Sequence, residues 1–163
     1  MSKIIFILLL GPFLCFSQER NPDSSAINEI VRKIDKLSET GSRSFTNHKT
    51  IGHKRIKENW QRFEHKQLSR IIINYKVDST DYTEEYYFRD GALIYASEKE
   101  IRYFPSLGPN EYVAWSGSFY FSKQKLIDHV TLGHGKSESE DWDPEKEILQ
   151  RLKVRKTELD GLK

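Results

Sequence analysis

The chain has 163 residues, of which 31% are charged, and its formal net charge at pH 7 is +2. A length of this order favours a single domain that can bury a core without crosslinks. The near balance of basic and acidic residues excludes the strongly basic character of proteins that bind nucleic acid or anionic membranes mainly through charge.

The chain begins with a segment typical of a secretory signal peptide. Lys3 is followed by a short apolar run, and the small residue Ser17 precedes the polar Gln18. This layout predicts residues 1–17 as a signal peptide and residues 18–163 as a single mature α+β domain. The run is shorter than the roughly 20 apolar residues of a membrane-spanning helix. We therefore expect a periplasmic or secreted protein with no transmembrane segment in the mature chain.

The one cysteine, Cys15, lies inside this signal. The mature domain would then contain no disulfide, no thiolate nucleophile and no cysteine metal ligand. A lipoprotein anchored through Cys15 is the alternative, because an acyl chain there would tether the protein to a membrane. Leu14 argues against it, since lipoprotein processing favours a small residue just before the cysteine. The sequence therefore favours a protein without a lipid anchor.

A helix is predicted at each end of the mature domain. The first covers residues 24–39, and the second covers residues 144–162. Asp143 is a typical helix cap and Pro144 suits a first helical turn, although Arg155 interrupts the apolar stripe that follows. In the first helix, apolar residues recur at helical spacing: Ile27, Ile30, Val31, Ile34 and Leu37.

The segment between the helices, residues 42–132, has the alternation and the turn residues of β-strands. Ile71, Ile73 and Tyr75 occupy every second position of a clear strand, and Asp90-Gly91 is a strong hairpin signal. These features predict an α+β fold, in which an antiparallel β-meander of about five to seven strands lies between an N-terminal and a C-terminal helix.

A hairpin motif occurs twice in this segment, at an offset of 33 residues. Each copy has three aromatic residues, a turn and a Leu-Ile pair, at Tyr86–Ile94 and Phe119–Ile127. A third copy at Phe63–Leu68 requires a β-bulge, because Leu68 has the opposite parity to Ile71. The motif predicts consecutive hairpins of similar geometry.

Strand alternation divides the motif between two faces of the sheet. With two-residue turns, the cross-strand neighbours on one face are Phe88–Leu93, Tyr86–Tyr95 and Phe121–Leu126. We expect this face to form the core under one helix. The opposite face is either an open binding surface or is covered by the other helix, and it carries Tyr87, Ile94, Tyr120 and Ile127.

The aromatic-turn-Leu-Ile hairpins, behind a signal that ends Phe-Ser-Gln, resemble those of uncharacterised small exported β-hairpin-repeat proteins of Gram-negative bacteria. The hairpin Tyr86–Ile94 is also similar to MORN-type repeats, which place aromatic residues before an Asn/Asp-Gly turn. The resemblance covers residues 82–132. It implies a repeated β-hairpin surface and carries no catalytic residue across to this chain.

Two polar clusters lack the spacing of a metal site. His48 and His53, like His129 and His134, are five residues apart, whereas zinc ligands on a helix are three or four apart. The acidic run from Glu138 to Asp143 lacks the glycine and the periodicity of an EF-hand loop, and it suits the positive end of the helix that follows. We therefore predict no metal and no cofactor.

The last helix carries four basic residues near its C-terminal end, a position that the helix dipole favours. Such residues usually form a solvated face, and a partner-binding helix is the alternative. The residues are Arg151, Lys153, Arg155 and Lys156.

These patterns favour a non-enzymatic binding protein, whose partner is an envelope or extracellular protein or a glycan rather than nucleic acid. The alternative is a hydrolase of envelope polymers, with Glu85 and His129 as an acid–base pair on one sheet face. A helix-covered face would argue against the hydrolase. The predicted binding residues are Tyr87, Tyr120, Ile94, Ile127, Glu85 and His129.

Overall fold

The computed structural model describes residues 22–38, 41–104, 106, 108 and 112–162. The predicted signal peptide and Cys15 lie outside the described residues. Within the described part, the chain forms two α-helices and seven β-strands. The helices are α1 (Pro22–Ser38) and α2 (Pro144–Gly161), and the strands are β1 (Ser42–Ile51), β2 (Lys54–His65), β3 (Gln67–Val77), β4 (Thr80–Arg89), β5 (Ala92–Tyr103), β6 (Tyr112–Ser122) and β7 (Lys125–Gly133).

The strands form one antiparallel sheet in which the spatial order is the chain order, from β1 to β7. Each strand therefore pairs with its neighbours in sequence, which makes the sheet a meander. This confirms the predicted α+β class, with an antiparallel meander between an N-terminal and a C-terminal helix. The start of α2 also agrees with the sequence, because the Asp143 side chain accepts a hydrogen bond from the backbone N–H of Lys146 at 3.0 Å.

Tight turns with left-handed backbone join the strands of the repeated hairpins. Asp90 and Gly91 have φ values of 52° and 77°, as a type I′ turn requires. Lys123 and Gln124 adopt the same left-handed conformation, with φ values of 51° and 64°, although neither is glycine. The second hairpin thus keeps the turn of the first without its typical residues.

Each repeated hairpin contains a β-bulge just after its turn. Phe88 pairs with Leu93 as predicted, but Tyr87 pairs with Tyr95, so Ile94 is an extra residue on β5. The predicted pairing of Tyr86 with Tyr95 is therefore wrong. Equivalent register shifts occur in the β6–β7 hairpin and in the β2–β3 hairpin, where the sequence requires one.

The main core lies between α2 and one face of the sheet. Phe88, Leu93 and Phe121 are buried in it, which confirms the core positions expected from the hairpin motif. Trp60 and Ile148 fill the space between the strands and the helix. Burial of large aromatic and aliphatic side chains is the dominant stabilising contribution to such a layer.

A second, smaller core lies between α1 and the opposite face. Ile27 and Ile34 of α1 are buried against the sheet, as the helical spacing predicts. Leu37, at the end of the same stripe, is 57% exposed. The sheet is thus covered by a helix on each face over part of its area.

Candidate functional site

Helix α1 lies over the sheet face that carries the predicted binding residues. Tyr87 and Tyr120 are 3% and 9% exposed, and Ile94 is also buried. The Tyr87 hydroxyl donates to Asp35 at 2.9 Å, and the Tyr120 hydroxyl donates to Asn28 at 3.2 Å. Both acceptors belong to α1, so the two tyrosines hold the helix on the sheet. Tyr87, Tyr120 and Ile94 are therefore buried under α1 and do not form the open binding surface that was one of the two predicted alternatives.

An arginine of β3 strengthens the attachment of α1. Arg70 forms ion pairs with Asp35 on α1 at 3.0 Å and with Glu85 on β4 at 3.1 Å. Its guanidinium also lies 4.9 Å from the centre of the Tyr87 ring. Burial raises the pKa of Tyr87, and the charge of Glu85 acts in the same direction. Glu85 therefore takes part in helix packing.

Two of the predicted residues line a cavity beside α1. Ile94 and Ile127 face Ile27 and Ile30 of the helix around a space of about 430 Å³ near the hairpin turns. The lining is mainly apolar, and its polar residues all come from the two hairpin turns: Arg89, Asp90, Ser122 and Lys123.

Glu85 and His129 lie on opposite faces of the sheet. Glu85 is on the α1 face, whereas His129 pairs with Phe119 and its ring lies 5.8 Å from the ring of Trp142, on the α2 face. The bulge at Ile127 adds one residue to β7, which reverses the face expected for His129. The acid–base pair required by the hydrolase alternative is therefore not formed.

Three glutamates form the most concentrated buried charge of the described residues. Glu58 on β2, Glu84 on β4 and Glu98 on β5 are almost completely buried on the α2 face. Glu84 and Glu98 are direct cross-strand neighbours. Burying a carboxylate is costly unless cations and hydrogen-bond donors surround it. Helix α2 supplies these partners.

Arg155 of α2 connects two of these glutamates. Its Nη1 lies 2.8 Å from Glu58, and its Nε and Nη2 lie 2.9 and 2.6 Å from the two carboxylate oxygens of Glu84. The hydroxyls of Tyr75 and Tyr86 each donate to Glu84 at 2.9 Å. Glu84 therefore accepts four hydrogen bonds.

The hydrogen bonds to Glu58 are equally numerous. Besides Arg155, it accepts from Asn47 and Trp60 at 3.1 Å each, and the Lys49 ammonium lies 3.0 Å away. Burial alone would raise the pKa of both Glu58 and Glu84, but the hydrogen bonds and charges of their cationic partners lower the pKa below its usual value. Both side chains are ionised and fully engaged.

A second cluster surrounds Glu98. Arg151 of α2 and Lys136, from the turn after β7, both form ion pairs with Glu98 and with Glu147. Burial raises the pKa of Glu98, although Arg151 and Lys136 act in the opposite direction. The Lys136 ammonium also lies 4.7 Å from the centre of a Trp115 ring. This cluster fixes the β7–α2 connection against the sheet.

Two cavities that share Glu100 lie next to these clusters, and together they are called the polar groove here; only the first of them is lined by α2. Its first part is a cavity of about 470 Å³ with Tyr75, Tyr82, Glu84 and Arg151 among its lining residues. The two tyrosine rings are stacked, with centroids 4.9 Å apart and planes at 9°. Both rings are half-buried, so each keeps an accessible surface.

The second part of the groove is a cavity of about 460 Å³ with Trp115, Arg102 and His134 in its wall. Glu100 lines both parts and lies at their junction. Glu100 is on β5, where it pairs with Tyr82 of β4 on one side and with Trp115 of β6 on the other. The groove thus combines aromatic rings with charged groups that rigid strands hold in place, which is the usual composition of a recognition site.

The sequence contained two signals for this site. Alternation places Glu84 on the opposite face from Glu85, as expected, and on the same face as the core residue Tyr86. Arg155 interrupts the apolar stripe of α2, where a charge must find a buried partner. The predicted solvated face of α2 is therefore wrong for Arg151 and Arg155, which turn inward, whereas Lys153 is exposed.

No known protein family, curated protein or solved structure matches the chain. Within the described residues, no group of three or more His, Cys, Asp or Glu side chains could hold a metal ion. Neither α1 nor α2, the helices of the described part, combines the length and hydrophobicity that crossing a bilayer requires.

Proposed function

We propose that the chain is an exported, non-enzymatic binding protein of the periplasm or extracellular space, and that its ligand occupies the polar groove beside α2. The observation that carries this proposal is the junction of two cavities at Glu100, between the stacked Tyr75–Tyr82 pair and Trp115. An open groove that continues across several strands suits an extended polar ligand rather than a small buried one.

The chemistry of the groove favours binding over catalysis. Glu84 is the most deeply placed carboxylate of its wall, and its oxygens already accept four hydrogen bonds. A general acid or base needs a free lone pair or proton within reach of the substrate. The acid–base pair of the hydrolase alternative is not formed, since Glu85 and His129 are on opposite faces. His134 and Glu138 form a hydrogen bond of 2.6 Å in the wall of the second cavity, but both side chains are largely exposed to solvent.

Paired variants test whether the groove binds the ligand. Tyr82→Ala/Val154→Ala removes two side chains that line the first cavity. We expect it to lose most of the material that the wild-type protein captures from an envelope extract, because a few aromatic residues carry much of the binding energy at such sites. Capture is measured by mass spectrometry of the retained proteins and by sugar analysis of the retained glycans.

The matched control is Tyr112→Ala/Val130→Ala, which removes two exposed side chains outside the groove. It is expected to capture the same material as the wild-type protein, and cooperative thermal unfolding of both variants should show that each remains folded. If the groove variant captures the same set of molecules as the control, the groove is not the binding site.

Export is supported by the layout of the N-terminal residues. The intact mass of the protein recovered from its own host should correspond to a chain that begins at Gln18. Retention of Met1 in a cytoplasmic fraction would contradict export, and a lipid attached to Cys15 would show a membrane-anchored form instead.

A further inference from the structure

We infer that the groove recognises a cationic group, the lysine or arginine side chain of a basic peptide segment, and that Glu100 is the residue that binds it. This inference rests on the proposed function of the groove. It adds the chemical class of the ligand and the side chain that selects it.

Glu100 differs from the other groove carboxylates in its partners. Among the described residues, Glu58, Glu84, Glu98 and Glu147 each have at least one arginine or lysine partner, and Glu138 forms a hydrogen bond with His134. Glu100 has no ion pair or hydrogen bond within the described part of the chain, yet it is half-buried. A half-buried carboxylate is less well hydrated than a surface one, so it gains more from a cation that reaches it.

The neighbours of Glu100 also suit a cation. Tyr82 and Trp115 are its direct partners on the two adjacent strands, and side chains at such positions project on the same face within about 5.5 Å at Cβ. The face of an aromatic ring attracts ammonium and guanidinium groups. Trp115 is 2% exposed and Lys136 already lies over its ring, so Tyr82, which is half-buried, is the accessible ring. A lysine or arginine side chain can lie along the Tyr82 ring and reach Glu100 with its charged end.

The pairing of charges around the groove supports the same choice. Among the described residues, the lining of the two cavities has four acidic and five basic side chains, and the ion-pair partners of these bases add three glutamates. Four of the bases are already held by carboxylates; the fifth, Arg102, is exposed to solvent, which screens its charge. The acidic residues are Glu58, Glu84, Glu98, Glu100, Glu138, Glu147 and Glu158, and the basic ones are Lys49, Arg102, Lys136, Arg151 and Arg155.

The test uses the purified protein and three acetylated, amidated pentapeptides, Gly-Gly-X-Gly-Gly, in which X is lysine, arginine or norleucine. Binding is followed by the amide shifts of β4 to β6 in ¹⁵N–¹H spectra. We expect the lysine and arginine peptides to bind about tenfold more tightly than the norleucine peptide, as a charge-assisted contact predicts. Raising the salt concentration should reduce this difference.

Glu100→Gln keeps the size of the side chain and should abolish the preference for the charged peptides. Glu140→Gln removes the same charge from an exposed position outside the groove and should bind as the wild type does. Equal binding of the lysine and norleucine peptides, or an unchanged preference in Glu100→Gln, overturns the inference.

The failure of this inference can be distinguished from that of the proposed function. If the Tyr82→Ala/Val154→Ala variant loses capture while the peptides show no charge preference, the groove binds a ligand of another class. A neutral oligosaccharide, chitotetraose, is then the next probe. Shifts in β4 to β6 on adding chitotetraose, unaffected by Glu100→Gln, would overturn the cationic ligand and retain the groove.

Discussion

Replacement of Arg155 by methionine is expected to lower the free energy of unfolding by about 3–5 kcal/mol. The substitution removes the guanidinium that contacts both Glu58 and Glu84, so Glu84 loses its direct ion-pair partner and Glu58 keeps only Lys49. Breaking a buried ion pair from one side is costly, because the remaining charge stays in a poorly solvating environment. Urea denaturation at neutral pH measures the loss.

Lys153→Met is the matched control, because Lys153 is exposed on the same helix and should cost no more than about 0.5 kcal/mol. The triple variant Arg155→Met/Glu58→Gln/Glu84→Gln should recover much of the stability, since it removes the unpaired charges together. A loss for Arg155→Met no larger than that for Lys153→Met would mean that the network does not form.

The same variant changes the response to acid. In the wild-type protein the pKa of Glu58 and of Glu84 is lowered on folding, so their contribution to stability is complete above the unfolded-state pKa of about 4.3. That contribution is lost as the pH falls through the lower folded-state values. Without Arg155, Glu84 loses the largest contributions that lower its pKa, while burial still raises it, so the variant should lose less stability than the wild-type protein as the pH falls from neutral.

Phe121→Ala and Tyr87→Ala are both expected to cost about 3–5 kcal/mol, although the two residues lie on opposite faces of the sheet. Phe121 is buried under α2, and Tyr87 is buried under α1, where it also donates to Asp35. Each substitution leaves a large cavity, and the second also removes a hydrogen bond between the helix and the sheet. Denaturant titration of the two variants measures both losses.

Tyr112→Ala is the control for this comparison. Tyr112 is 57% exposed, so its replacement should change stability only slightly. If Tyr87→Ala costs as little as Tyr112→Ala, then α1 does not cover its face in solution. The sheet face around Tyr87 and Tyr120 would then again be a candidate binding surface.

The helices and the meander could be predicted from the sequence because local rules determine them. Helical spacing marks Ile27 to Ile34, and Asp143 with Pro144 marks the start of α2. The Asp90-Gly91 turn fixes the first two cross-strand pairs of its hairpin, Arg89 with Ala92 and Phe88 with Leu93. These signals depend on residues that are close together in the chain.

The bulge of the β2–β3 hairpin could be predicted from parity, but the bulges of the two repeated hairpins and the charge network could not be predicted in the same way. A bulge after Leu126 changes the parity of every later residue in β7, and nothing in the residues around Ile127 marks that extra position. The contacts of Arg155 with Glu84 and Glu58 join residues that are 71 and 97 positions apart. Alternation shows which face Glu84 occupies, but only the packing of α2 shows what it meets there.

The meander topology has a consequence for how the chain reaches this structure. Every strand pair joins neighbours in sequence, so the sheet can grow hairpin by hairpin with little loss of chain entropy. The ion pairs of Arg155 with Glu58 and Glu84 are different, because they form only when α2 docks across the completed sheet. Until then Glu58, Glu84 and Glu98 remain hydrated on a face that is otherwise rich in aromatic residues. Their charges would keep such a partly folded sheet from associating with other copies, so the glutamates that α2 later neutralises also protect the chain from aggregation while it folds.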